Sequence, residues 1–370
     1  MANFALDLET FWFLALGFLW VGYLVLEGFD FGVGMLLPFI GKSDKDRRVM
    51  MNSIGPHWDG NEVWVITAGA GTFAAFPDWY ATLFSAYFLP LLIIVVALVV
   101  RAVAFEYRGK HDTARWKGNW DRIIALTSFL PALLWGVALT GIINGVPIGK
   151  DMQFTGNFFD LVQPFALMGG LVTFLLSLLC GAVFLGLKTH GELRERARTV
   201  AQRVAPITLG ILLIFALWTT WGVLGDVIPN VLLLTAAATL TGAVVLTTRR
   251  GTEGWSFLLV SLTIAFAVGG LFVILYPNVM VSSTDAAFNL TIYNTASGSY
   301  TLTVMTIVAL VMLPIVLFYQ AVTYYVFRGR LDPDTLEASP SLPEAVAKVA
   351  DKVGITEEHP PQANVDPPTA

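Results

Sequence analysis

The sequence predicts an all-α polytopic membrane protein of nine transmembrane helices. They form two four-helix units plus one peripheral helix, with the N-terminus outside and the C-terminus cytoplasmic. Three observations lead there. The 370 residues are 56% hydrophobic and only 13% charged, with a mean hydropathy of +0.69, whereas a soluble domain is about a quarter charged. Nine apolar segments are each long enough to cross a hydrocarbon core of about 30 Å. Basic residues fall almost wholly in every second connection, which sets the orientation.

Span one is read at 10–39 and is followed by Lys42, Lys45, Arg47 and Arg48. A short connection from Gly41 to Asn52 makes a hairpin with span two, 60–76, and Pro56 marks a helix start before it. Span three, 80–101, ends in Arg101 and leads through Arg108, Lys110, Arg115 and Lys117 to span four, 122–143. Span five, 160–186, holds the single cysteine, Cys180. One cysteine excludes an internal disulfide, a CxxC redox pair and a cysteine-ligated cluster. Lys188, Arg194, Arg196, Arg198 and Arg203 follow span five. Spans six to nine are read at 205–224, 229–247, 256–276 and 301–327, with Arg249 and Arg250 after the seventh and Arg328 and Arg330 after the ninth. Of the 22 Lys and Arg, only Lys150 lies in a connection of the other kind. By the positive-inside rule the basic side is cytoplasmic. The long outer connections, 144–158 and 277–300, are rich in Asn, Ser, Thr and Gly. The 33 glycines and 26 phenylalanines suit close helix packing and lipid-facing surfaces. No cleavable signal is expected, since the N-terminus lacks a basic stretch and an A-x-A site.

Two regions follow: a membrane domain, 1–330, and a tail, 331–370. The tail carries eight carboxylates, two lysines and seven of the 18 prolines. It reads as mostly disordered, with a short helix near 342–353. The net charge of −5 belongs to this tail, because the first 330 residues carry a net +1. Nothing in that balance points to nucleic acid as a partner.

The densest polar run is Gly55-Pro56-His57-Trp58-Asp59-Gly60-Asn61-Glu62-Val63-Trp64, at the mouth of span two. Ionisable groups are costly to hold there, so they are candidates for proton handling. Glu27 and Asp30 in span one are three residues apart and share a helix face. Counted from Thr10, Glu27 lies roughly 26 Å along the helix, near its cytoplasmic end. Gly28 and Gly32 form a GxxxG that lets another helix approach closely. Asp59 and Glu62 repeat the three-residue spacing, and the hairpin turns both pairs toward one mouth. The candidate proton path is therefore Asp59, Glu62, Glu27 and Asp30. A structural reading stands beside it: Asp59 near first-turn N–H groups, His57 as a packing residue, and Glu27 and Asp30 as interfacial acids beside a basic loop. A six-coordinate heme needs two axial ligands, usually His or Met. Only His57 of the four histidines approaches a span and the methionines are scattered, so no axial heme ligand and no metal site are expected. Trp12, Trp20, Trp58, Trp64, Trp79, Trp135, Trp218 and Trp221 read as interface anchors and packing.

Further runs stand out: Gly28-Phe29-Asp30-Phe31-Gly32-Val33-Gly34-Met35-Leu36, Arg47 to Ile54, Ile66-Thr67-Ala68-Gly69, Arg101 to Arg108, and Trp116 to Asp121. Later ones are Thr155 to Phe159, Gly191-Glu192-Leu193, Ser282-Ser283-Thr284 and Asn289-Leu290-Thr291. Together with the run from Gly55 to Trp64 they make the chain, over residues 8–330, resemble subunit II of the cytochrome bd quinol oxidase family. The resemblance implies a heterodimer of two similarly folded nine-helix subunits in the bacterial cytoplasmic membrane, in many members with a small single-span third subunit. The larger partner, subunit I, holds two hemes b and a heme d and the quinol site. A quinone bound as a structural lipid, and membrane lipids, are further implied partners. Two quinols and O2 become two quinones and two waters. By resemblance Asp59 is the proton-path carboxylate, and Asp30 and Asp121 support the heme region, with Arg101, His57 and Trp58 beside them. The chain departs from some relatives at Glu27 and Glu106, where they carry Asp, and its acidic tail has no counterpart. Two other classes remain open on the residues alone: a proton-coupled carrier, and a purely structural subunit in which Asp59 only packs.

Overall fold

The computed structural model describes residues 7–222 and 227–331. The expectations of disorder and of a helix near 342–353 lie outside the described residues. Within them the chain forms eleven helices: α1 (Leu8–Ile40), α2 (Asp44–Ile54), α3 (Trp58–Ala75), α4 (Pro77–Ala86), α5 (Phe88–Tyr107), α6 (Ala114–Asn144), α7 (Pro164–Lys188), α8 (Gly191–Gly222), α9 (Val227–Thr247), α10 (Glu253–Leu275) and α11 (Ser299–Val326). Eight of these are long and apolar enough to cross a membrane; α2, α3 and α4 are not among them.

Two expectations are corrected. The connection from Gly41 to Asn52 is mostly helix α2, not a simple loop. Ser43 caps it, accepting from the Asp46 N–H while Asp46 accepts from the Ser43 N–H, a reciprocal box that satisfies two orphan donors. Span three is broken in two. Pro90 has no N–H for the Ala86 carbonyl and its ring crowds that turn, so the helix stops at Ala86 and restarts after Tyr87. The boundary between α3 and α4 has a similar cause: the residue before a proline avoids helical geometry, and Phe76 before Pro77 sits at φ −136°, ψ 71°. The long outer connections carry some regular pairing. β1 (Asn278–Met280) pairs antiparallel with β2 (Leu290–Thr291), and Val146 bridges to Ser282.

Helix α1 sits at the centre and packs on α3, α6, α7 and α10. Helices α7 to α10 close a ring, each on the next and α10 back on α7. Helix α5 packs on α6, and α11 stands at the edge with only Leu302 and Gln320 buried. The crossing of α1 and α7 is the tightest. A Cβ at Gly32 would meet the Ser177 carbonyl oxygen and come 2.7 Å from the Gly181 Cα.

Hydrogen bonds gather the basic connections at one end. Arg196 donates to the Ile40 carbonyl (2.5 Å) and to Asp46 (2.9 Å), Arg198 to the Arg249 carbonyl (3.0 Å), and the Leu331 N–H to the Lys188 carbonyl (2.7 Å). At the opposite, loop-covered end the Ser297 N–H donates to the Ala75 carbonyl (2.8 Å) and Thr82 to the Met152 carbonyl (2.6 Å). Helix α3 therefore runs from the basic end to the loop end, and its 18 residues cover about 27 Å. Asp59, Asn61 and Glu62 in its first turns lower its apolar character.

Candidate functional site

Three helices meet at Arg101 of α5. Its guanidinium is fully buried, pairs with Glu27 of α1, and reaches Glu62 of α3 at 3.4 Å. The rings of Phe31 and Phe105 lie 4.8 and 5.5 Å from it, a cation–π setting that favours Arg over Lys. One α-turn along α1 from Glu27, Asp30 is also fully buried and accepts from Asn61 Nδ2 at 2.7 Å. Asn61 receives two donors from α11 in turn: Gln320 Nε2 at 3.1 Å and the Tyr324 hydroxyl at 3.0 Å. Two carboxylates thus meet one guanidinium inside the helical body, and a third, Asp30, is buried beside them on Asn61.

The expected path residues are only partly joined. Glu27 and Glu62 share Arg101, and Asp30 hangs from Asn61 beside them. Asp59 is exposed and bonds to none of them; its link is the shared face with Glu62 three residues on. The expected heme-support residues fall in four places. Arg101 belongs to the acid cluster. His57 is buried with its ring flat on Tyr324, centroids 4.3 Å apart. Burial pushes its imidazole down to about 4, and the Lys188 ammonium adds to the shift. Trp58 is half-buried, its ring 5.2 Å from Phe105.

Asp121 stands in a second ionic cluster at the basic end. Its carboxylate accepts from Arg108 Nε at 2.5 Å and Arg47 Nη1 at 2.8 Å. Arg108 also holds Asp44 at 2.9 Å, which Lys117 reaches at 3.1 Å. This ties α2, α5 and α6 together. Partial burial opposes the Asp44 charge, but hydrogen bonds from Arg108 and Lys117 outweigh it and hold the carboxyl below its usual range. At Asp46 burial is likewise outweighed, there by Arg196 and Ser43.

Spacing alone missed Gln320 and Tyr324. A signal existed for the first: Gln320 is the one amide or charged side chain in 301–327, and such a group at membrane depth needs a partner.

Fold and site together define a class: a multi-pass helical membrane protein with an ionisable cluster sealed between its helices. The family described as "Cytochrome bd terminal oxidase subunit II" matches residues 8–327. A curated relative, cytochrome bd ubiquinol oxidase subunit 2 of Bacillus subtilis, is 40% identical over 330 residues, covering 88% of this chain and 97% of the relative. The cytochrome bd-I ubiquinol oxidase subunit 2 of Escherichia coli K12 is 37% identical over 366 residues, covering 89% and 97%. A solved bd oxidase structure from Geobacillus thermodenitrificans superposes with a TM-score of 0.71 at 19% identity, covering 86% of this chain and 98% of that one, which speaks for the fold alone. The chain belongs to the cytochrome bd terminal oxidase subunit II family. It is a subunit of a respiratory terminal oxidase, and the carrier class is set aside.

The family implies heme. His57 carries no partner on either nitrogen, but Tyr324 covers its ring face. A cavity between the helices, lined by Leu24, Thr140, Val172, Phe215 and Ile264, holds about 30 Å³, room for a water or two. His111 and His190 are exposed at the basic end. These residues do not fit an axially ligated heme.

Proposed function

We propose that the chain works beside a heme-bearing subunit I as part of a quinol:O2 oxidoreductase of the bacterial cytoplasmic membrane, and that it supplies part of the route by which protons enter from the cytoplasm. Two hemes b and a heme d belong to the partner in this reading. A small third subunit and a quinone held as a structural lipid complete the assembly. The route runs from exposed Asp59 through half-buried Glu62 to buried Glu27 and Asp30. One observation carries it: Glu27 and Glu62 share the single guanidinium of Arg101, and Asp30 is fully buried beside them with the neutral Asn61 as its hydrogen-bond donor. One guanidinium balances one carboxylate, and the others are groups that can take up and return a proton.

The nine-crossing count and the orientation belong to the same proposal. The passage of α3 from Asp30 at one end to Ser297 at the other supports counting it as a span. The packing of α1, α3, α5 and α6, the ring of α7 to α10, and the outlying α11 support two units and a peripheral helix. The basic end is then cytoplasmic. Asp121, His57 and Trp58 take the role of holding the heme-facing region; the ion pairs of Asp121 across three helices support this.

Asp59→Asn tests the route, since it keeps size and hydrogen bonding but removes the titrating group. In the assembled complex O2 consumption is expected to fall by about tenfold or more, with the heme spectrum intact, and Asp59→Glu retains part of the rate. Full turnover in Asp59→Asn would move proton entry elsewhere. Loss of all hemes would make Asp59 an assembly residue, the purely structural alternative.

A further inference from the structure

We propose that Asp30 is held by a one-way chain of hydrogen-bond donors that begins at Trp64 and leaves Oδ1 as the oxygen that takes the proton; this deepens the proton-route reading above and rests on it. The chain has four members on three helices. Trp64 Nε1 donates to Gln320 Oε1 at 2.9 Å, Gln320 Nε2 to Asn61 Oδ1 at 3.1 Å, and Asn61 Nδ2 to Asp30 Oδ2 at 2.7 Å. All four side chains are more than nine-tenths buried.

The direction follows from chemistry. An indole N–H can only donate. It therefore fixes the Gln320 amide with its oxygen toward Trp64 and its NH2 toward Asn61. That NH2 requires an acceptor on Asn61, so Oδ1 faces α11, where it also accepts from the Tyr324 hydroxyl at 3.0 Å. The Asn61 NH2 must then face α1, where it meets both Asp30 Oδ2 and the Leu26 carbonyl at 3.2 Å. Turning Asn61 over would set NH2 against NH2 on one side and oxygen against oxygen on the other. A proton on Asp30 Oδ2 would point at the Asn61 N–H. The other oxygen, Oδ1, is buried and has no partner, so a proton is taken up and released there. Trp64, Gln320 and Asn61 are positioning residues. Helix α11, otherwise scarcely buried, takes part in the site through them.

The test is infrared difference spectroscopy of the assembled complex across pH steps. The charged and titratable groups around Asp30 are Glu27 on α1, Glu62 on α3, Arg101 on α5, Cys180 on α7 and Tyr324 on α11. The Asp30 carboxyl C=O band is therefore identified by its loss in Asp30→Asn. Trp64→Phe keeps an aromatic side chain but removes the indole N–H, which frees both amides to turn. Gln320→Leu removes the middle link, and co-elution of the two subunits reports assembly of each variant. The expected result is a shift of the Asp30 band to higher wavenumber in both, because its carbonyl oxygen loses a fixed donor. An unmoved band in either assembled variant overturns the one-way chain and leaves the proton route standing. If Asp30→Asn removes no band at any pH, Asp30 takes up no proton, and this proposal falls together with its place in the route.

Discussion

Arg101 is the residue on which the interior charge depends. Of its nitrogens only Nη1 makes hydrogen bonds, and Nε, Nη2 and Glu27 Oε2 are buried without hydrogen-bond partners. Removing one member of such a pair strands the other charge, at a cost of about 3–5 kcal/mol. Arg101→Gln is therefore expected to lower the unfolding midpoint of the solubilised complex sharply. Glu27→Gln added to it should restore part of the loss, because no unpaired charge then remains at that contact. Arg101→Lys keeps the charge but loses the plane between Phe31 and Phe105, and should fall between. A double variant no better than Arg101→Gln alone would show that Glu27 is not the main partner. His57 gives a pH prediction of its own. Its native pKa, about 4, lies below the ordinary 6.5, so the unfolded chain binds more protons between these values. Stability is then full above pH 6.5 and declines as pH falls toward 4. His57→Phe should flatten that decline in thermal unfolding measured from pH 7 to pH 5. An equal decline in both proteins would assign the loss to other groups.

Among the helices, close approach is set by single glycines. The GxxxG of α1 was legible in the sequence, yet its two glycines are not equivalent. Gly32 touches the backbone of α7, whereas a Cβ at Gly28 would make only ordinary side-chain contacts, with Ile264 Cδ1 at 3.6 Å and Ser177 Oγ at 3.8 Å. Gly32→Ala should cost about 1–3 kcal/mol or more by forcing α1 and α7 apart, while Gly28→Ala should be near neutral; melting curves of the two variants decide. If both were neutral, the crossing would be looser than it stands here. The same contrast marks what sequence conveys. Hydrophobic run length located the long helices, and the i, i+3 spacing correctly gave Glu27 and Asp30 one face. Spacing cannot say which face a neighbour covers, so Asp59 and Glu62, equally spaced, end exposed and half-buried. It also cannot supply partners across hundreds of residues. Asn61 was visible as a polar residue, but its bonds to Gln320 and Tyr324 depend on where α11 docks.

As a whole the molecule has two unlike ends. One is knitted by charged side chains, with Arg196, Arg198, Arg108 and Arg47 reaching across connections. The other is closed by backbone hydrogen bonds among 145–163 and 277–298, with Lys150 its sole basic residue. A membrane that retains basic loops on its cytoplasmic side admits only one orientation of such a body. Single-cysteine labelling in intact cells checks this directly. The native Cys180 is buried, so the background is expected to be silent to a polar, membrane-impermeant maleimide. Lys150→Cys and Tyr293→Cys, both exposed at the loop end, should react from outside. Lys45→Cys and Glu195→Cys, exposed at the basic end, should react only after the membrane is opened. The reverse pattern would place Asp59 and Glu62 on the outer face, and protons drawn through them could not come from the cytoplasm.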